Sequence, residues 1–244
     1  MKLTRTRNHW RFCLSLVALS GLYSTMVPHA PAQNPELQER LAEVKASLAK
    51  NKQQLAQYTW TEQDIISLKG EQRKEELFQV RLGPDGKPQK TNLDPAAVSD
   101  EERHRHGLKA HIVEKKKEEY KEYADSMKTL MQQYVPPQRD LLDQAYQKGN
   151  VMVGPAAGAP HELRLVVTNY IKPQDSMTLV FNRQGKQLVS IAISSYLEDP
   201  SDEVKLNVQF SNLPDGTNHI ATLVIDGVKK QLSVALTNAN YQKL

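Results

Sequence analysis

The sequence predicts an α+β fold: a curved antiparallel sheet, a half-barrel-like meander, covered by an N-terminal helix and a central helical insert. Three observations carry this. Six short runs within residues 161–241 alternate apolar and polar side chains, the period of strands with one buried and one wet face. Two stretches before residue 150 place apolar residues three and four apart, the period of one helix face. Tight turns rich in Gly, Asp and Lys separate the alternating runs, and such turns join antiparallel neighbours.

Taken in order, residues 1–32 read as a cleavable signal peptide. Lys2, Arg5, Arg7 and Arg11 precede a mostly apolar run from Phe12 to Val27, and Ala30 and Ala32 supply the small side chains of a cleavage site. A retained anchor would need roughly 20 apolar residues, whereas this run is broken by Ser15, Ser20, Gly21, Ser24 and Thr25. The expected product begins at Gln33, is exported to the periplasm or beyond, and has no stable membrane span. Cys13, the one cysteine, leaves with the signal, which excludes disulfides and thiolate chemistry. Processing also removes four of the 32 basic residues and none of the 28 acidic ones. The resulting neutral balance offers no footprint for nucleic acid.

Residues 33–244 are expected to form one domain. Asn34-Pro35 reads as a helix start, and Leu37, Leu41, Val44, Leu48 and Leu55 then line one face of a helix over 33–57. A hairpin region over 58–93 follows, opening on Tyr58-Thr59-Trp60-Thr61, turning at Lys69-Gly70-Glu71 and ending past Gly83-Pro84-Asp85-Gly86. Pro214-Asp215-Gly216 is a near-copy of that last turn; both read as hairpin chemistry, since a calcium loop needs more alternating carboxylates.

The helical insert spans 99–149. Its longer helix carries Ile112, Val113, Tyr120, Tyr123, Met127, Leu130, Met131 and Tyr134 on one side and a Lys/Glu-rich surface opposite. Pro136-Pro137 ends it, and a short third helix closes at Lys148-Gly149. Residues 154–160 are rich in Gly, Ala and Pro and read as a loop. The meander over 161–241 then runs through Leu163 to Val167, Met177 to Phe181, Val189 to Ile193, Val204 to Phe210, Ile220 to Ile225, an Asp226-Gly227 turn, and Leu232 to Leu236. With the hairpin this predicts seven to nine strands, their apolar face requiring a helical lid.

Tyr58-Thr59-Trp60-Thr61-Glu62, Gly83-Pro84-Asp85-Gly86-Lys87-Pro88, Leu213-Pro214-Asp215-Gly216-Thr217-Asn218 and Asn240-Tyr241-Gln242-Lys243 resemble an uncharacterised family of exported bacterial proteins, a resemblance that implies no activity. In element order alone the chain is similar to the half-barrel of periplasmic lipoprotein carriers.

Chemistry is sparse. His104, His106 and His111 sit beside Glu101, Glu102 and Glu114, yet His104 and His106 face different ways on a helix and no three ligands converge, so no metal site is expected. His161 and His219 have no serine in a nucleophile-elbow context, and Glu198-Asp199 and Asp202-Glu203 around Pro200-Ser201 read as a solvated turn. No nucleophile, base and orienter can be named together, so the chain reads as a non-enzyme without a cofactor. The candidate ligand-binding residues are Trp60, Tyr123, Met127, Met131 and Tyr134, because Met and Tyr suit adaptable apolar surfaces. The functional expectation is binding of an apolar or lipid-like ligand between sheet and helices. The alternative is an envelope interaction or structural module with a filled core, and a packed sheet–helix space would favour it.

Overall fold

In β8 (Glu203–Asn212) the residues Val204, Leu206 and Val208 are buried while Lys205, Asn207 and Gln209 are exposed, and Met177, Leu179 and Phe181, buried between half-buried neighbours, repeat the same period. The computed structural model describes residues 46, 49–93, 108–135 and 137–244, of which 108–114 and 139 are described by their backbone alone. All of them belong to one compact unit, Asn34–Leu244. The signal segment, most of the N-terminal helix and the cluster of Glu101, Glu102, His104 and His106 lie outside the described residues. No described helix is long and apolar enough to cross a membrane.

The sheet has ten strands. Besides β8 they are β1 (Tyr58–Leu68), β2 (Glu71–Leu82), β3 (Pro88–Asn92), β4 (Val151–Ala156), β5 (Ala159–Thr168), β6 (Ser176–Asn182), β7 (Gln187–Tyr196), β9 (Asn218–Gly227) and β10 (Leu232–Lys243). Their order is β3-β2-β1-β10-β9-β8-β7-β6-β5-β4, and every neighbouring pair is antiparallel. The first strand therefore pairs with the last, Ile66 opposite Val234. The helices follow as α1, described over 49–55, α2 (Leu108–Gln132) and α3 (Arg139–Gln147). The insert thus links one edge strand, β3, to the other, β4.

Two expectations are corrected. Residues 154–160 are not a loop: β4 and β5 form a hairpin there, with Gly154 opposite Arg164 and the turn at Ala157-Gly158. Pro155 hides the strand from a sequence reading, but β4 is an edge strand, where a missing backbone donor costs no ladder bond. This strand and β3 raise the count to ten. Asp226-Gly227 is not the turn either, since both residues complete β9 and the chain reverses over 228–231.

The two Pro-Asp-Gly turns do share one chemistry. In the first, Gly83 N–H donates to Lys87 O, Gly86 N–H to Gly83 O and Lys87 N–H to the Asp85 carboxylate. In the second, Leu213, Gly216 and Thr217 repeat those bonds to Thr217 O, Leu213 O and the Asp215 carboxylate. Gly86 and Gly216 stand at φ of +70° and +83°, which a side chain would disfavour.

One apolar cluster lies between the sheet and α2 and α3. It combines Tyr123, Met127, Leu130, Met131 and Tyr134 of α2 and its end with Leu165, Val167, Met177, Leu179, Ile191, Ile193, Val204, Leu206 and Val208 of the meander. Gly227 sets how close the helix comes. A Cβ added there would stand 2.5 Å from Met127 Sδ and 2.5 Å from a Tyr123 ring carbon, so α2 rests on a strand with its side chain deleted.

Candidate functional site

Four of the five candidate residues, Tyr123, Met127, Met131 and Tyr134, come together beneath α2 as the helical spacing requires, all buried in the common core. Their polar ends are satisfied by the sheet's loops. Tyr123 O–H donates to Asp202 at 2.7 Å and Tyr134 O–H to Asp175 at 2.5 Å. These tyrosines are eleven positions apart, close to three helical turns, so both hydroxyls leave the same face. Burial first, then the neighbouring carboxylate, pushes both phenols above their usual range. Lys230 lies over the Tyr123 ring at 4.9 Å and pairs with Glu119.

Asp175 is a built anchor. It is 1% exposed and accepts the backbone N–H groups of Tyr170, Ile171 and Lys172, with Ser195 beside Tyr134 at 2.7 Å. Glu198, Asp199, Pro200 and Ser201 are exposed, as a solvated turn requires, but Asp202 is not part of that surface: it is buried and takes the Tyr123 hydroxyl. An open depression of about 340 Å³ is lined by Asp125, Thr129, Leu130 and Gln133 of α2 and its end together with Lys172 and Leu197, and holds none of the five candidates.

Trp60 is elsewhere. It is buried, at 4% exposed, but is not part of the core cluster beneath α2. On β1 it alternates with Glu62, Asp64, Ile66 and Leu68, so all five share one face, and Ile66 and Leu68 pack against the core. The register places Val80 and then Lys90 beside Trp60, and Phe78 and Asn238 on either side of Glu62. Asn240, at φ +55°, is the extra residue of a bulge in β10 opposite Trp60. The bulge brings Tyr241 onto the same side, where its ring stacks on Trp60 at 5.5 Å and 19°. The His219 ring is the other ring contact of Tyr241, with centroids 4.2 Å apart.

This second cluster is charged. Glu62 is 4% exposed, and Lys90 pairs with both Glu62 and Asp64. Burial raises the Glu62 carboxyl above its usual range, against the pull of Lys90. Burial also pushes Lys90 downward, but Glu62 and Asp64 outweigh it and the ammonium is held up. The Tyr241 phenol is pushed up by burial and then by Glu62. Trp60 Nε1, Asp64 Oδ1 and Asn238 Oδ1 are buried without a hydrogen-bond partner. Such atoms cost on the order of 1–3 kcal/mol each when left unmet, and three on one patch of one sheet face mark a place to be explained.

Asp64, Lys90 and Asn238 carry no signal of their own in the sequence, Glu62 and Tyr241 enter it only through the family resemblance, and His219 only as a histidine without a nucleophile. One signal was available: Tyr58-x-Trp60-x-Glu62-x-Asp64-x-Ile66-x-Leu68 puts two carboxylates on the apolar phase of an alternating strand. Among the described residues no group of three His, Cys, Asp or Glu is placed to hold a metal ion.

No protein-family model matches the chain, and no curated protein matches it in sequence. Among solved structures it is similar to a DUF1329 family protein from Desulfovibrio piger ATCC 29098, at 11% identity and a TM-score of 0.41 over 83% of this chain and 92% of that one.

Proposed function

We propose that this chain is an exported, non-enzymatic binding protein whose apolar or lipid-like ligand is held on the helix-covered side of the sheet, at the Trp60 cluster. One observation carries the reading: Trp60 Nε1, Asp64 Oδ1 and Asn238 Oδ1 are buried and unpartnered beside the stacked Trp60 and Tyr241 rings. Rings supply apolar area, and a few convergent polar atoms orient what lies on them. The Met/Tyr stripe beneath α2 serves as core in this reading, its hydroxyls already spent on Asp175 and Asp202.

Trp10 and Trp60 are the two tryptophans of the chain, so a Trp10→Phe protein reports on Trp60 alone. Titration with the apolar fluorophore N-phenyl-1-naphthylamine is expected to give saturable energy transfer from Trp60, weakened by Tyr241→Ala and retained in Met131→Leu. Absence of saturable transfer, or equal binding in Tyr241→Ala, would sink the proposal.

A second reading has its own support. Gly227 lets α2 settle within contact of β9, and Met127 and Tyr134 are fully buried, which is the packing of a filled core. An interaction or structural module of the envelope needs nothing more, and a negative fluorophore titration would favour it.

A further inference from the structure

Resting on the Trp60 reading, we propose that the ligand of this site carries a cationic head, a protonated amine or quaternary ammonium, which takes the place now filled by the Lys90 ammonium. Lys90 is itself a cation in a binding geometry. Its Nζ lies 3.0 Å from Asp64, pairs with buried Glu62, and stands 5.1 Å from the centroid of the Phe78 ring. Carboxylates flanked by aromatic faces are the chemistry that recognises ammonium groups.

The charge count on this patch favours a cation. Glu62, Asp64 and Glu76 share the face with two ammonium groups, Lys74 and Lys90, and Lys74 is paired with Glu76. That leaves Lys90 alone against two carboxylates, one of them 4% exposed. Asp64 also keeps one buried oxygen with no donor. An anionic head placed here would meet two carboxylates in partly desolvated surroundings, where like charges repel strongly.

Lys90 can be exchanged. It lies on β3, a five-residue strand at the sheet's edge, and its side chain is 37% exposed, so its flexible stem can swing to water while the strand stays paired. Trp60 Nε1 supplies the second, independent sign of a ligand. It is a buried donor two positions along the same face from Glu62, and no acceptor meets it. The ligand therefore carries an acceptor oxygen near its cation.

The test uses the full-length Trp10→Phe protein and three twelve-carbon probes below their micelle concentrations: dodecyltrimethylammonium, dodecyl maltoside and laurate, read by Trp60 fluorescence. The ammonium probe is expected to bind at least roughly tenfold tighter than the other two, the scale of a partly desolvated cation–aromatic contact. Lys90→Met is expected to tighten the ammonium probe and leave the maltoside unchanged, Lys90→Arg to keep wild-type affinity, and Glu62→Gln to weaken the ammonium probe selectively. Thermal melts establish that each variant is folded. Maltoside or laurate binding as tightly as ammonium, or Lys90→Met failing to tighten it in a folded protein, overturns the cationic head while leaving a site at Trp60. Failure of all three probes to perturb Trp60 overturns both readings.

Discussion

Tyr134 O–H donates to the Asp175 carboxylate at 2.5 Å, joining the C-terminal end of α2 to the loop between β5 and β6 in a site where Tyr134 is 0% and Asp175 1% exposed. The carboxylate already holds three backbone N–H groups of its own loop. Tyr134→Phe is therefore expected to cost about 1–3 kcal/mol, because it leaves a buried charge short of one donor. Tyr123→Phe, whose partner Asp202 also has Lys229 at 3.8 Å, is expected to cost less. Denaturant melts of the two variants check the order.

Gly227→Ala is expected to destabilise the protein by about 1–3 kcal/mol, as overpacking of a filled interface does, because its new methyl meets Met127 Sδ and the Tyr123 ring. Combined with Met127→Ala, it is expected to cost less than the two single changes added together, since the methyl then enters space that truncating Met127 has opened. Strict additivity in a double-mutant cycle would show that α2 does not rest on Gly227.

These contacts mark where the sequence stopped being readable. Alternation at a period of two made β5 to β10 legible, and the spacing of Tyr123, Met127, Leu130 and Tyr134 made the buried face of α2 legible, because both patterns are local. Gly227 read as a turn residue, since nothing local says that a helix a hundred residues earlier in the chain lands on it. The Trp60 cluster is assembled from β1, β3, β9 and β10, and its stacking partner Tyr241 reaches the face only through the bulge at Asn240. Trp60 was therefore identifiable as a candidate, but the sequence grouped it with the helix stripe rather than with Glu62, Lys90 and Tyr241.

Glu62 gives a pH prediction. Its carboxyl is raised above the usual 4.5, chiefly by burial, so the folded state holds its proton more tightly than the unfolded one. Stability contributed by the protonated form is then present below pH 4.5 and lost as pH rises through the folded value. Glu62→Gln, which mimics the protonated group, is expected to gain stability relative to wild type on going from about pH 4 to pH 7. A difference that is flat or reversed across that range would contradict the shift.

Asp215 runs the other way. The Tyr58 hydroxyl, 2.6 Å away, and Thr217 hold its carboxyl down to about 2. A depressed carboxylate adds stability above its unfolded value of 3.8 and loses it as pH falls through the folded value. The deficit of Tyr58→Phe relative to wild type is expected to shrink between about pH 4 and pH 2, read by urea melts at each pH.

The central claim is that the binding surface is at Trp60 and not beneath the α2 stripe. The most direct measurement is native mass spectrometry of the protein purified from its own host, comparing wild type, Tyr241→Ala and Met131→Leu. A bound amphiphile is expected on wild type and on Met131→Leu, and its loss from Tyr241→Ala. A bound species that survives Tyr241→Ala but disappears on repacking Met131 would contradict the claim and return the site to the space beneath the helix.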